Sequence, residues 1–153
     1  MLDKLKFLAG AVFLTFLGSV ASAQDIKISD AYARSAGKMA KSGAAFLVIE
    51  NLSGTEDRLT EVWSDAAKRV QLHTHVKGDD GVMKMRHVEQ GFVIPAQGQH
   101  ALKRGGDHIM FMGLVTPWED GDVLNVTLHF EKAGDVPVAI PVDQNRNPTE
   151  HNH

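Results

Sequence analysis

The pattern of apolar and polar positions over residues 26–142 predicts strands almost throughout, because side chains alternate with a period of two in segment after segment. A first strand runs from 26–29 on toward Arg34. Residues 44–51, AAFLVIEN, form an apolar, β-branched run suited to burial on both faces. A turn at 53–57 precedes an alternating stretch at 58–63, with Leu59, Glu61 and Trp63 on one side and Thr60 and Val62 on the other. Residues 69–76 alternate cleanly: Val70, Leu72, Thr74 and Val76 face one way, His73 and His75 the other. Asp79-Asp80-Gly81 is a strong hairpin turn, and 82–88 is its return strand. Shorter strands are predicted at 92–94, ended by Pro95, and at 99–103, before the turn Arg104-Gly105-Gly106-Asp107. Strands at 108–114, 123–131 and 136–142 complete the pattern. The tail from Asp143, DQNRNPTEHNH, is polar and predicted to be disordered. No helix of length, internal repeat or linker interrupts the series. Eight or nine short antiparallel strands predict an all-β sandwich or barrel.

The N-terminus breaks the pattern. Lys4 and Lys6 precede an apolar stretch at 7–20, and Ala21-Ser22-Ala23 fits a small-x-small cleavage site. The run is short for a membrane span, so residues 1–23 are read as a cleaved signal peptide with Gln24 the mature N-terminus. The expected organisation is a signal peptide at 1–23, one domain at 24–142 and a tail at 143–153, with the mature protein in the periplasm and no membrane span in it.

Composition then narrows the chemistry. The 153 residues carry a formal net charge of −3, and removing Asp3, Lys4 and Lys6, a net +1, takes it to −4. That argues against a nucleic-acid surface, which needs clustered Lys and Arg. The chain has no cysteine, which excludes disulfides, thiolate nucleophiles and Cys-type zinc sites. It has 8 histidines and 6 methionines, and their placement is the main functional clue.

Three predicted strands each present donors at i and i+2, hence on one face: His73 and His75; Met83 and Met85; His108, Met110 and Met112. The first two strands are joined by the Asp79–Gly81 turn, so their donors can face each other across a hairpin. Imidazole suits several transition metals, but thioether sulfur narrows the choice to copper, Cu(I) above all. Methionine has no proton to lose on binding and cannot be lost to a disulfide outside the cytoplasm. Of the three groups, Met112 is the expected core member, and His87, His100 and His129 have no partner in sequence.

These residues resemble the periplasmic copper chaperones of the PCuAC family. The resemblance covers residues 26–142 and rests on GAAFLVIEN (43–51), RVQLHTHV (69–76), DDGVMKMRHV (79–88), IPAQGQHALKRGGDHIMFMGL (94–114) and the late strand. The family pattern of a His, a later Met and then His-x-Met falls here on His73, Met85, His108 and Met110. The resemblance implies a cupredoxin-like Greek-key β-barrel that binds Cu(I) through those two His and two Met near the surface. It also implies delivery to the dinuclear copper centre of cytochrome c oxidase subunit II, with a Sco-type protein as a second partner. His75, Met83 and the loop residue Met39 are further candidate donors. The tail's Glu150-His151-Asn152-His153 offers a carboxylate and a His-x-His suited to Cu(II), through His151 and His153.

A carrier needs no acid, base or nucleophile, so the chain is read as a non-enzyme. A periplasmic copper-buffering or resistance protein would use the same residues and differ only in delivery. A cupin-like metalloenzyme would use His73 and His75 with His100. It lacks the Glu expected after the His pair, and residues 95–100 have the wrong spacing. A blue-copper electron carrier needs a Cys ligand that is absent.

Overall fold

The structure is a computed structural model that describes residues 23–147. The expected signal peptide and the tail residues His151 and His153 lie outside the described residues. Ten strands follow a single 3-10 turn, Ala23–Asp25. They are β1 (Ile26–Ser35), β2 (Ser42–Asn51), β3 (Asp57–Trp63), β4 (Ala67–Lys77), β5 (Met83–His87), β6 (Phe92–Ile94), β7 (Gln99–Leu102), β8 (His108–Leu114), β9 (Val123–Phe130) and β10 (Gly134–Pro141). One sheet has the order β1-β2-β8-β4-β5, with β7 also on β2; the other has the order β10-β9-β3-β6. Every strand pairing is antiparallel. Among the described residues no helix is long and apolar enough to cross a membrane.

The core lies between the sheets. Ile49, Ile109 and Phe111 from the first sheet and Leu59, Ile94, Leu128, Phe130 and Ile140 from the second are all fully buried. Each comes from one phase of a strand's alternation, so the opposite phase of β4 and β8 is left for the outer face. Trp118, in the β8–β9 loop, stands edge-on to Phe111 at 5.1 Å between ring centroids. It fills the space where Gly43 has no side chain: a Cβ there would sit 2.2 Å from the indole.

Two bulges change faces that simple alternation misassigns. The β3–β9 register shifts between Leu59 and Glu61, so Leu59 and Val62 both reach the core while Glu61 and Trp63 stay out. A second shift, between Ser29 and Tyr32, has Asp30 at φ 55°. It turns Tyr32 to pair with Phe46 on the outer face, with ring centroids 5.2 Å apart.

β7 and β8 are not a hairpin. Both run antiparallel to the same edge of β2: Leu102 pairs with Leu47, and Ile109 pairs with Ala45. They behave as one strand broken by an excursion at 103–107, closed by Lys103 N–H donating to Asp107 O at 2.9 Å. That excursion stands over the outer face at the start of β8.

The segment after β10 stays bound to the domain beyond the boundary expected at Val142. Asp143 N–H donates to Ala33 O, and the Gln144 side chain bonds Ser35 and the Trp118 carbonyl. Arg146 pairs with Asp30 and covers the Tyr32 ring at 4.4 Å.

Asp57 is 2% exposed, and its carboxylate accepts from the N–H groups of Arg58, Lys132 and Ala133 at 2.7, 2.9 and 2.9 Å. It clips the β9–β10 turn to β3. Asp57→Ala orphans these donors and is expected to cost about 3 kcal/mol in urea unfolding. Asp57→Asn recovers only part, because one of its positions becomes a donor.

Candidate metal centre

The β4–β8 register sets His73 opposite His108 and Gln71 opposite Met110. The β4–β5 hairpin sets His75 opposite Met85 and His73 opposite His87. Directly opposed residues share a face, so His73, His75, Met83, Met85, His87, His108, Met110 and Met112 all lie on the outer face of the first sheet. The hairpin turn is tight: Gly78 N–H bonds Val82 O at 2.8 Å, and Gly81 has φ 77°, where a Cβ is disfavoured.

The histidines are held unlike surface residues. His108 is 2% exposed. Its Nδ1–H donates to the Gly106 carbonyl at 2.9 Å, since a carbonyl only accepts. Nε2 then carries the lone pair, and it is buried with no partner among the described residues. His73 repeats the arrangement with the nitrogens exchanged: Nε2 bonds Gln71 Oε1 at 3.2 Å, and Nδ1 is buried without a partner. The two rings meet edge-on at 5.9 Å between centroids. Buried polar atoms without partners are rare in folded proteins. Two imidazole nitrogens in that state on neighbouring strands form a ready pair of metal ligands.

Both rings are biased toward the neutral, ligating form. Burial holds the pKa of His73 below its ordinary 6.5, and His108 and His87 push it the same way. For His108 burial is again the main cause; the Gly106 bond and Asp107 oppose it, and His75 adds to it.

The excursion at 103–107 organises this pair. The Gly106 carbonyl accepts from His108 and also bonds His75 Nδ1 at 3.1 Å, bringing those two rings to 5.2 Å. The turn itself is anchored by His100 Nε2 on Asp107 Oδ2 at 2.9 Å, with His100 stacked on Phe92 at 5.2 Å. His100 is therefore tied to Asp107 and the second sheet. Among the described residues no group of three His, Cys, Asp or Glu side chains is placed to hold a metal.

The methionines are the remaining candidate donors. Met85 and Met110 line one cleft of about 320 Å³ together with Ala44, Phe46, Arg34 and Arg104. Met85 is 56% exposed. Met83, at the hairpin tip opposite Lys77, does not line the cleft. Met39, in the β1–β2 turn, is 87% exposed and does not line it either. Met112 corrects an expectation. It is half-buried on the outer face between Ser42 and Arg69, not in the core, because Phe111 takes the inward phase of β8. His87 is a residue the alternation missed: its ring lies 5.9 Å from that of His73. Its signal was present, since His73 and His87 are equidistant from the Asp80 turn. His129 lies elsewhere, paired with Asp135 and stacked on Trp63.

Comparison with known proteins gives the family and the fold. A family model described as "Putative lipoprotein LpqE-like" matches residues 26–142. The Leifsonia xyli protein "Putative lipoprotein Lxx21020" is 37% identical over 120 residues, 78% of this chain and 70% of its own. The solution structure of CuI-DR1885 from Deinococcus radiodurans superposes with a TM-score of 0.59 at 30% identity, covering 80% of this chain and 83% of that one. The chain belongs to the PCuAC family. The copper-bound PCuAC domain from PmoF2 has a TM-score of 0.64 at 22% identity, over 78% of this chain and 93% of its own, and shares the fold. That fold is cupredoxin-like and all-β, with ten strands here where eight or nine were expected. The solved relatives include a copper-bound domain and a Cu(I) form, and the curated relative is named "Putative lipoprotein".

A base whose folded pKa is depressed binds protons less readily in the native state than in the unfolded chain. Stability contributed by neutral His73 and His108 is present above pH 6.5 and is lost as pH falls through their lowered folded values. The metal-free protein is expected to unfold at lower urea as pH drops below 6.5, and His108→Gln to flatten that slope. Urea midpoints measured against pH check both.

Proposed function

We propose that this chain is a periplasmic copper chaperone that takes Cu(I) as cargo at His73, Met85, His108 and Met110. The observation that carries this is the pair of buried, unpartnered ring nitrogens, His73 Nδ1 and His108 Nε2, beside a cleft lined by two thioethers. Two imidazoles and two thioethers make a soft set that favours Cu(I) over zinc. The copper-bound states of DR1885 and the PmoF2 domain support the same reading. Export is supported by the predicted signal peptide and the lipoprotein relative. His75 and His87, whose rings flank the pair, act as neighbours that keep the site free of protons. Met83 and Met39 stand outside the set, and His151 and His153 provide a separate Cu(II) position on the tail.

The binding chemistry requires no acid, base or nucleophile. The histidines hold one side of the ion from rigid central strands. The thioethers close the other side and can be displaced singly by an acceptor's donors. The acceptor implied by the family resemblance is the dinuclear copper centre of cytochrome c oxidase subunit II, with a Sco-type protein in the same route.

An anaerobic Cu(I) competition titration tests the site. One tight site is expected, kept on truncation after Asn147, and lost in His108→Ala/Met110→Ala with the fold retained; Zn(II) binds far more weakly. Retained affinity in the double variant removes these residues from the site. Mixing the Cu(I) form with a soluble subunit II domain separates delivery from buffering: a chaperone fills the dinuclear centre, a buffer keeps its copper.

A further inference from the structure

We propose that the Met85–Met110 cleft is a docking surface for an acidic segment of the protein with which copper is exchanged, with Arg34 and Arg104 receiving its carboxylates. This rests on the copper reading above.

The charge distribution points to it. The chain is net acidic at −3, yet the cleft is lined by two guanidiniums and no carboxylate. Its other lining is Ser35, Ala36, Ser42, Gly43, Ala44, Phe46 and the two methionines. Arg34 reaches it from β1, and Arg104 from the excursion that also carries the Gly106 carbonyl. Neither arginine makes an ion pair among the described residues. Of the nearby carboxylates, Asp30 is taken by Arg146, and Asp120 accepts from Gln144 and Asn145. Glu119 lines a neighbouring pocket that shares Arg34, Ser35 and Ala36 with the cleft, and not the cleft itself.

Guanidiniums cannot ligate copper, and they repel a free cation. Their placement beside the thioethers therefore weakens metal binding slightly and needs another reason. A planar fork with five donors matches a carboxylate, and Arg is favoured wherever such groups are recognised. An acidic segment in the cleft would offset the repulsion and bring its own donor against Met85 and Met110. Charge complementarity at a rim acts chiefly on encounter rate and partner choice.

The test is an NMR shift titration of the full chain with two blocked peptides. One has Asp and Glu around a single Met, and the other has Lys at each acidic position. The acidic peptide is expected to shift the amides of Arg34, Ala44, Arg104 and Met110, to weaken as salt rises, and to lose about tenfold in affinity for Arg34→Glu/Arg104→Glu. The lysine peptide should not bind. Cu(I) competition affinity of the double variant should be no weaker than wild type, because neither arginine is a donor. Shifts confined to the Lys77–Lys84 end, equal binding of both peptides, or an acidic peptide indifferent to charge reversal would overturn the proposal. If the reversal variant does not fold, Arg34→Gln/Arg104→Gln and the wild-type shift map decide it. A wild-type chain that binds the acidic peptide at the arginines but takes no Cu(I) leaves the docking surface standing and removes the copper reading.

Discussion

The structure turns on the register between β4 and β8. Leu72 opposite Ile109 places two side chains in the core, and His73 opposite His108, one residue along, places two imidazoles on the outer face. The two requirements are one constraint, because a strand's period is two. A slip of β4 by a single residue would turn His73 into the core against Ile109 and expel Leu72 to the outer face. Hydrophobic burial thus fixes ligand geometry: the free energy that selects the core partner also selects the donor partner. The central position of β4 and β8 in their sheet makes this pair of donors the most rigid element of the site.

Rigid placement alone would leave the histidines free to protonate or to bond to each other. Burial holds both rings neutral, and the excursion at 103–107 fixes how His108 points. One carbonyl, that of Gly106, meets both His75 and His108, which fixes the His108 tautomer and turns Nε2 toward the site. Gln71 does the same for His73 from within its own strand. The site is therefore oriented by a backbone acceptor and a neutral amide. Neither carries a full charge, and the pull of the Gly106 carbonyl toward imidazolium is outweighed by the burial of His108.

Much of this could be read along the chain. Alternation located every strand to within a few residues, set His73 and His75 opposite the core phase, and joined Met85 to them through the Asp79-Asp80-Gly81 turn. The same turn also implied the His73–His87 pairing, and His87 lies two residues after Met85 in β5, but neither sign was used. Other features depend on tertiary context. Alternation carries no mark of the bulge at Thr60 or of the one at Asp30, which is what brings Tyr32 onto Phe46. The in-line continuation of β7 into β8 was hidden because Arg104-Gly105-Gly106-Asp107 reads equally well as a hairpin. Met112 was misjudged because depth along a strand was taken for burial, when the phase of the alternation decides it.

β5 holds Met85 differently from the way β4 and β8 hold the histidines. It has five residues, all exposed, and β4 as its one neighbour. None of its residues belongs to the core. Such an edge opens at a far lower free energy than the sheet interior. The strength of the grip and the speed of letting go are then set in different places. On the proposed copper site, the imidazoles, locked to the core, would govern equilibrium occupancy, and fraying of one hairpin would govern residence time. On that reading, loosening the hairpin would change the rate of release and leave the imidazole pair untouched.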